Sequence, residues 1–590
     1  MILFRKLPIA VLLAAVLLIP AGAAAQQALE RNLPQPAPGE PVSLEVDEQD
    51  YGKADTTPLG VDVTGIYLIG QGDEVAAQAA EGIGGPASAV APDALRTALS
   101  PYIGRPLSLA LAGEVQSTIA RVYRNAGYPF VSVTLPPQEI TGGVLQVRII
   151  EFRSGKVDVR GVSPEEAERI RARLRVSPGA RIDARALEED LGWLNRSPYR
   201  RSDGVFRPGE EAALSDLQIT IDRGRPWQAF AGWSNSGSPD TGRDRYFLGG
   251  NVRLPLPGGP WISYQATSSD DIWSDPGVVI PRRGEYPSYI SHAGRITLPT
   301  FARQSLEIAP AVVATRQTPN RFFAFENTTY ELPIIYRSAV SNLVPGHYWG
   351  DLYGGLEFKR LERVTFFNGL EVADGAADLL QLVLGWSDTF DDPYGRTAID
   401  LRVKANPGGV LQGNAATTWQ TFSNGRVQSV EYAYLAADIS RATSLPARFA
   451  WISSVSGTLT GQVLPDTERI SLGGRYAVRG YNYDDASVDS GVIWRNELRL
   501  PVLSPISEQL AGKWPARFAD SASLYGFADI GFGIDHATDK SATLGGVGAG
   551  LDYSLGDHFS ANFIAGVALR DSGETQAGDW NFQASITARF

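Results

Sequence analysis

From about residue 226 to Phe590 the chain alternates apolar and polar positions with period two, the pattern of half-buried strands, and no helical spacing persists. In 397–405, Ile399, Leu401 and Val403 share one face, while Asp400, Arg402 and Lys404 share the other. In 492–500, Val492, Trp494, Leu498 and Leu500 oppose Arg495, Glu497 and Arg499. The terminal segment puts Phe582, Ala584, Ile586, Ala588 and Phe590 on one face. About sixteen such segments of roughly ten to fifteen residues follow one another.

Upstream the pattern changes. Residues 58–153 read as strand, helix, helix, strand, strand, with Gly127 as a helix stop. Residues 154–225 repeat that start. A strand is followed by a helix over 164–176 beginning with Pro164 and two acids, then a helix over 183–195 and a closing strand over 215–222. Two units with one element order predict tandem small α+β modules.

Alternation alone also fits a soluble sandwich. Connection lengths separate the two readings. Those near 257–259, 300–303, 442–446 and 556–558 are short, and those near 271–286, 407–427 and 461–490 are long. Short turns at one end and long loops at the other are the pattern of an outer-membrane barrel. The connection near 501–519 is too long for a turn and departs from this pattern. Sixteen strands enclose an aqueous lumen, which suits charged inward faces, and closure satisfies every edge hydrogen bond in lipid.

The N-terminus addresses compartment. Arg5 and Lys6 precede an apolar run ending in Ala23-Ala24-Ala25, which reads as a secretory signal over 1–25, cut before Gln26. Residues 26–57 read as a short helix and then a spacer set by Pro34, Pro36, Pro38 and Pro41. The formal net charge is −12, which argues against a nucleic-acid partner. The chain has no cysteine, which excludes a disulfide scaffold and a thiolate metal site. The four histidines, His292, His347, His536 and His558, lack metal-ligand spacing, and no nucleophile elbow or catalytic triad is visible. The glycine run 545–550 opens no helix, so it is not read as a dinucleotide site, and no cofactor is expected. Gly546, Gly548 and Gly550, on one strand face, are expected to leave room for a loop.

The candidate chemistry lies in the 461–490 connection. Its tip carries Val478, Arg479, Gly480 and Tyr481. Loops of this length without structure of their own are uncommon and are usually functional or disordered. With about twelve residues to the nearer strand, the tip reaches up to roughly 40 Å and can fold back into the lumen. Its expected partner is Asp529, which with Tyr525 and Phe527 takes the inward face of a strand if Leu524, Ala528, Ile530 and Phe532 face lipid.

The motifs resemble those of the two-partner secretion transporters (TpsB type, ShlB/FhaC/HecB-like), relatives of the barrel-assembly protein BamA. Residues 104–151, including Pro136-Pro137-Gln138, resemble the family's first periplasmic POTRA module, and 187–198 and 206–219 resemble its second. Val478-Arg479-Gly480-Tyr481 resembles the family's lumen-loop motif. The run from Gly526 to Gly531, with Phe527 and Asp529, resembles its strand partner. Pro198-Tyr199 departs from the family's Pro-Gly. The resemblance implies a mostly β fold: a sixteen-stranded transmembrane antiparallel β-barrel over 226–590, preceded by two small α+β POTRA domains over 58–153 and 154–225. Phe590 would be the barrel's C-terminal signature. The implied function is export. The modules in the periplasm would capture an unfolded secreted partner protein, a TpsA-type adhesin or haemolysin-like chain, and the barrel in outer-membrane lipid would pass it to the surface. The alternatives are an outer-membrane assembly factor like BamA or, less favoured for want of a triad, an outer-membrane enzyme.

Overall fold

The structure is a computed structural model describing residues 55–590, apart from 77–80, 86–89, 129, 141, 212 and 510–517. The expected signal and most of the 26–57 spacer lie outside the described residues. Gly39–Gly224 forms one compact unit, and Arg225–Phe590 belongs to another.

The first unit holds two sheets. One has the order Gly82–Gly84, Gly65–Ile69, Val144–Glu151, Val131–Thr134. Helices Pro92–Leu99 and Leu109–Asn125 pack on it. In the longer helix Leu111, Val115, Ile119 and Tyr123 recur every four residues, which stacks them on one stripe against Ile66, Leu68 and Val147. Ser108 caps its start by accepting from the Leu111 N–H at 3.1 Å, and Gly127 follows its end at φ 90°.

The second sheet has the order Arg153–Arg160, Leu214–Arg223, Arg200–Pro208. Helix Pro164–Arg171 is shorter than expected, because the Arg175 backbone N–H donates to Asp190 at 2.7 Å and ties the following turn to helix Ala184–Asn195. Two strands were not foreseen, Gly82–Gly84 and Arg200–Pro208. The second is irregular in pattern and is held at Ser202 by the Asn195 amide, which accepts from its N–H at 2.6 Å and donates to its carbonyl at 3.1 Å. Tyr199, the departure from the family's Pro-Gly, is buried, and burial pushes its hydroxyl up to about 12.

The two sheets are joined by a polar clamp. Glu151 accepts from the Tyr123 hydroxyl at 2.9 Å and from Arg181 at 2.7 Å. Burial, and then the Glu151 charge, push the Tyr123 hydroxyl well above the ordinary phenol range. Across the same junction the Phe130 and Phe206 rings lie 4.2 Å apart.

Residues 227–589 form a closed antiparallel barrel of sixteen strands. The fifth runs in two pieces, Gln304–Ile308 and Ala311–Gln317, interrupted at Pro310, which has no N–H to give a ladder. The sixteenth strand, Trp580–Arg589, closes on the first, Trp227–Ser234, and Phe590 extends the seam by exchanging backbone bonds with Ala229 at 2.8 and 3.3 Å. The outward faces are apolar and uncovered all round, as at Leu356, Leu384, Val403, Trp494, Ile530 and Phe582. So much exposed apolar surface in one band is a lipid-facing wall. No described helix is long and apolar enough to cross a membrane.

Loop lengths follow the expected asymmetry only in part: at the long-loop end the connections 318–322, 368–369 and 536–539 are short, and at the opposite end 340–350 and 500–519 are long. The turn between the seventh strand (Asp351–Phe367) and the eighth (Leu370–Asp392) is Asn368-Gly369, both at positive φ, the tight hairpin geometry that Asn-Gly favours. The two strands have 17 and 23 residues, against the roughly 9–11 needed to span a bilayer, so the hairpin projects beyond it. In the long 500–519 connection, at the opposite end, Asp520 accepts from the N–H groups of Ile506 and Ser507 at 2.8 and 2.7 Å, holding helix Pro505–Gln509.

Candidate functional site: the lumen loop

The connection between the eleventh strand (Ala450–Leu459) and the twelfth (Ser490–Arg499) turns back into the barrel. It is not structureless. Ile470–Ser471 pairs with Ser487–Val488, and Val478 donates its N–H back to Leu472 at 2.9 Å. Its base is fixed by Asp489, which accepts from the Leu464 and His536 N–H groups at 2.9 and 2.8 Å and from Arg426 at 2.9 Å. Asp485 fastens the tip to the last loop, accepting from Thr575 at 2.6 Å.

Arg479 is 1 % exposed. Its guanidinium donates twice to Asp529, at 2.7 and 2.8 Å, and its backbone N–H donates to the same carboxylate at 3.2 Å. A further N–H reaches Glu497 at 2.6 Å, and the guanidinium carbon lies 3.8 Å from the Phe527 ring centroid. This is a bidentate, charge-assisted pair stacked on an aromatic face. The thirteenth strand (Asp520–Asp535) supplies Phe527 and Asp529 two residues apart, so both point inward.

The network runs on. Glu497 also accepts from Arg499 at 2.7 Å, and Arg499 donates to Asp552 at 2.6 Å. Sequence reading placed Glu497 and Arg499 on the polar face but gave no signal linking them to the loop. Adjacency of the twelfth and thirteenth strands sets that link, with Arg495 opposite Asp529 in register.

The other tip residues dock by shape. Val478 and Tyr481 are fully buried. The Tyr481 hydroxyl lies within donating distance of the Gly545 and Arg570 carbonyls, at 3.0 and 2.9 Å, and accepts from the Arg570 N–H at 3.1 Å. Gly480, at φ 106°, lies where a side chain would strike the Val567 backbone at 2.9 Å. A Cβ on Gly546 would come 1.9 Å from the Arg479 carbonyl oxygen, and one on Gly531 would meet Val478 at 2.9 Å. Of the three glycines expected to make room for the loop, only Gly546 does so directly. Gly548 and Gly550 accommodate the Phe527 and Tyr525 rings of the neighbouring strand. Gly526 faces away from the loop, with no atom nearer than 3.9 Å to its would-be Cβ, and Phe590 lies apart at the seam. Among the histidines, His292 bonds Tyr264 at 2.6 Å and His536 bonds Ser490 at 3.0 Å. No group of side chains among the described residues could hold a metal ion.

Residues 351–553 match the family described as haemolysin secretion/activation protein ShlB/FhaC/HecB, and residues 83–151 match the ShlB-type POTRA domain. The chain is 23 % identical over 421 residues to the outer membrane transporter CdiB of Dickeya dadantii, covering 69 % of this chain and 70 % of that one. It is 23 % identical over 527 residues to the heme/hemopexin transporter protein HuxB of Haemophilus influenzae strain 86-028NP, covering 85 % of each. Its fold is that of the solved CdiB from Escherichia coli, with TM-score 0.67, 16 % identity and 94 % of each chain covered. CdiB from Acinetobacter baumannii superposes with TM-score 0.57, 15 % identity and 90 % of each chain covered. With a sixteen-stranded lipid-facing barrel, an ShlB-type POTRA domain and these relatives, the chain is an outer-membrane transporter of the two-partner secretion type, similar to the ShlB/FhaC/HecB proteins.

Proposed function

We propose that the secreted partner is a large adhesin or haemolysin-like protein, captured unfolded by the tandem modules and passed through the barrel past the 460–489 loop. The two modules present open strand edges, Val131–Thr134 and Arg200–Pro208, to which an extended chain can add a strand. The observation that carries the reading is the barrel's polar interior, crossed by a loop whose arginine is buried against Asp529. No step needs catalysis by the chain, and folding of the partner outside supplies a driving force without a nucleotide.

The test is co-expression with a large, repeat-rich secreted protein, sought first among the products of the neighbouring genes. The partner is expected in the medium only when the transporter is present. A fall in the levels of unrelated outer-membrane barrels on depleting the chain would instead favour the assembly-factor alternative.

A further inference from the structure

The lumen loop has a second buried anchor on the opposite wall. Glu468, on its rising limb, is 5 % exposed and bonds Lys359 of the seventh strand, which is fully buried. The Tyr434 hydroxyl of the tenth strand donates to the same carboxylate at 2.8 Å. The wall around Lys359 holds Glu357 at 2.9 Å and Glu331 at 3.8 Å, and Lys404 lies 2.6 Å from Glu357. We infer that Glu468 and Lys359 form the releasable latch of the loop, whereas Arg479 and Asp529 form its fixed root.

The asymmetry lies in what each wall keeps when the loop leaves. Without Glu468, two lysines still face two carboxylates, so the wall stays paired and neutral. Glu468 enters as a third carboxylate, and its own repulsion by Glu331 and Glu357 offsets part of the attraction to Lys359. Without Arg479, by contrast, Asp529, Glu497 and the partly exposed Asp552 meet Arg495 and Arg499 among the described residues, leaving one negative charge in excess beside the buried Asp529. The tip is also seated backbone against backbone at Gly480 and Gly546, where no side chain can be shed to loosen it. Opening therefore swings the 463–468 limb off the wall of the sixth to tenth strands, giving up the Leu464–Asp489 bond, while Arg469, held to Asp535, and the tip stay on the twelfth to fifteenth. Residues 463–464 pack with Trp419, Tyr432 and Tyr434 on that wall, so the swing unpacks them and clears this half of the lumen. The inference rests on the proposed route through the lumen, but its readout does not.

The chain has no cysteine, so single reporters can be placed at will. Thr467→Cys marks the limb and Ala477→Cys marks the tip; both positions are 3 % exposed. Each is labelled with a water-soluble maleimide in folded barrels reconstituted in liposomes, with and without Glu468→Gln. Glu468→Gln keeps an oxygen that can accept from Lys359 but removes its charge, and the weaker bond raises labelling at 467 about tenfold, with no change at 477. Channel-opening frequency in planar bilayers rises in parallel. Lys359→Met, which leaves Glu468 against two carboxylates, provides a second variant, and heat-modifiable migration on gels reports folding for each. Equal acceleration at both positions, or none at 467 in either folded variant, overturns the latch. Secretion need not be measured, so failure here is distinct from failure of the export reading.

Discussion

Arg479→Ala is expected to reduce secretion to a small residual level while the barrel still assembles. Burial of the pair sets the size of the effect. Both charges are withdrawn from water, and Asp529 takes three of its hydrogen bonds from this one residue. Removing one partner of such a pair costs about 3–5 kcal/mol, because the remaining charge is left uncompensated. The barrel itself is held by continuous backbone ladders, which the substitution does not touch. Asp529→Ala should therefore give a similar defect, and the double variant should be little worse than either single one, since pairs in contact are non-additive. Secretion and channel conductance, compared at matched barrel levels, measure this. Additive defects would show that the two residues act independently.

Deleting residues 58–153 is expected to abolish secretion with the barrel still present in the outer membrane. The hydrophobic core of the first module draws only on residues within that span, and barrel closure uses only residues from 227 onward. The deletion removes one of the two open edges and breaks the Tyr123–Glu151–Arg181 clamp that sets the second module against the first. Barrel content is followed by heat-modifiable migration, and partner capture by co-purification from periplasmic extracts. Secretion at the normal level would exclude a capturing role for the module.

The barrel was legible because period-two alternation over many segments needs a lumen and a lipid face, and Ile399, Leu401 and Val403 take the outward side as read. The Arg479–Asp529 meeting was reachable from loop length and strand parity, together with the family resemblance. Parity says which face a side chain takes but not which strand lies opposite, so Glu497, Asp552 and the Lys359–Glu468 contact stayed hidden. The same limit explains Gly548 and Gly550, whose space is taken by rings from an adjacent strand. Gly526 belongs to the recognisable motif yet points away from the loop, because neighbouring positions on a strand take opposite faces. Strand Arg200–Pro208 was missed because Arg200, Arg201, Asp203, Gly204 and Arg207 give it no apolar alternation, and its place comes from the Asn195 side chain and from pairing with Leu214–Arg223.

Passage of the partner through the barrel interior is open to direct test. Ser440 and Ile439 are adjacent on the tenth strand, Ser440 on the lumen face with Asp438 and Ile439 exposed on the lipid face. A photoreactive residue is placed at each in turn, and the barrel is irradiated while a partner with a bulky folded C-terminal fusion is stalled in transit. An adduct with the partner is expected from position 440 and none from 439. Adducts from 439, or from neither position while the partner is demonstrably stalled, would contradict passage through the lumen.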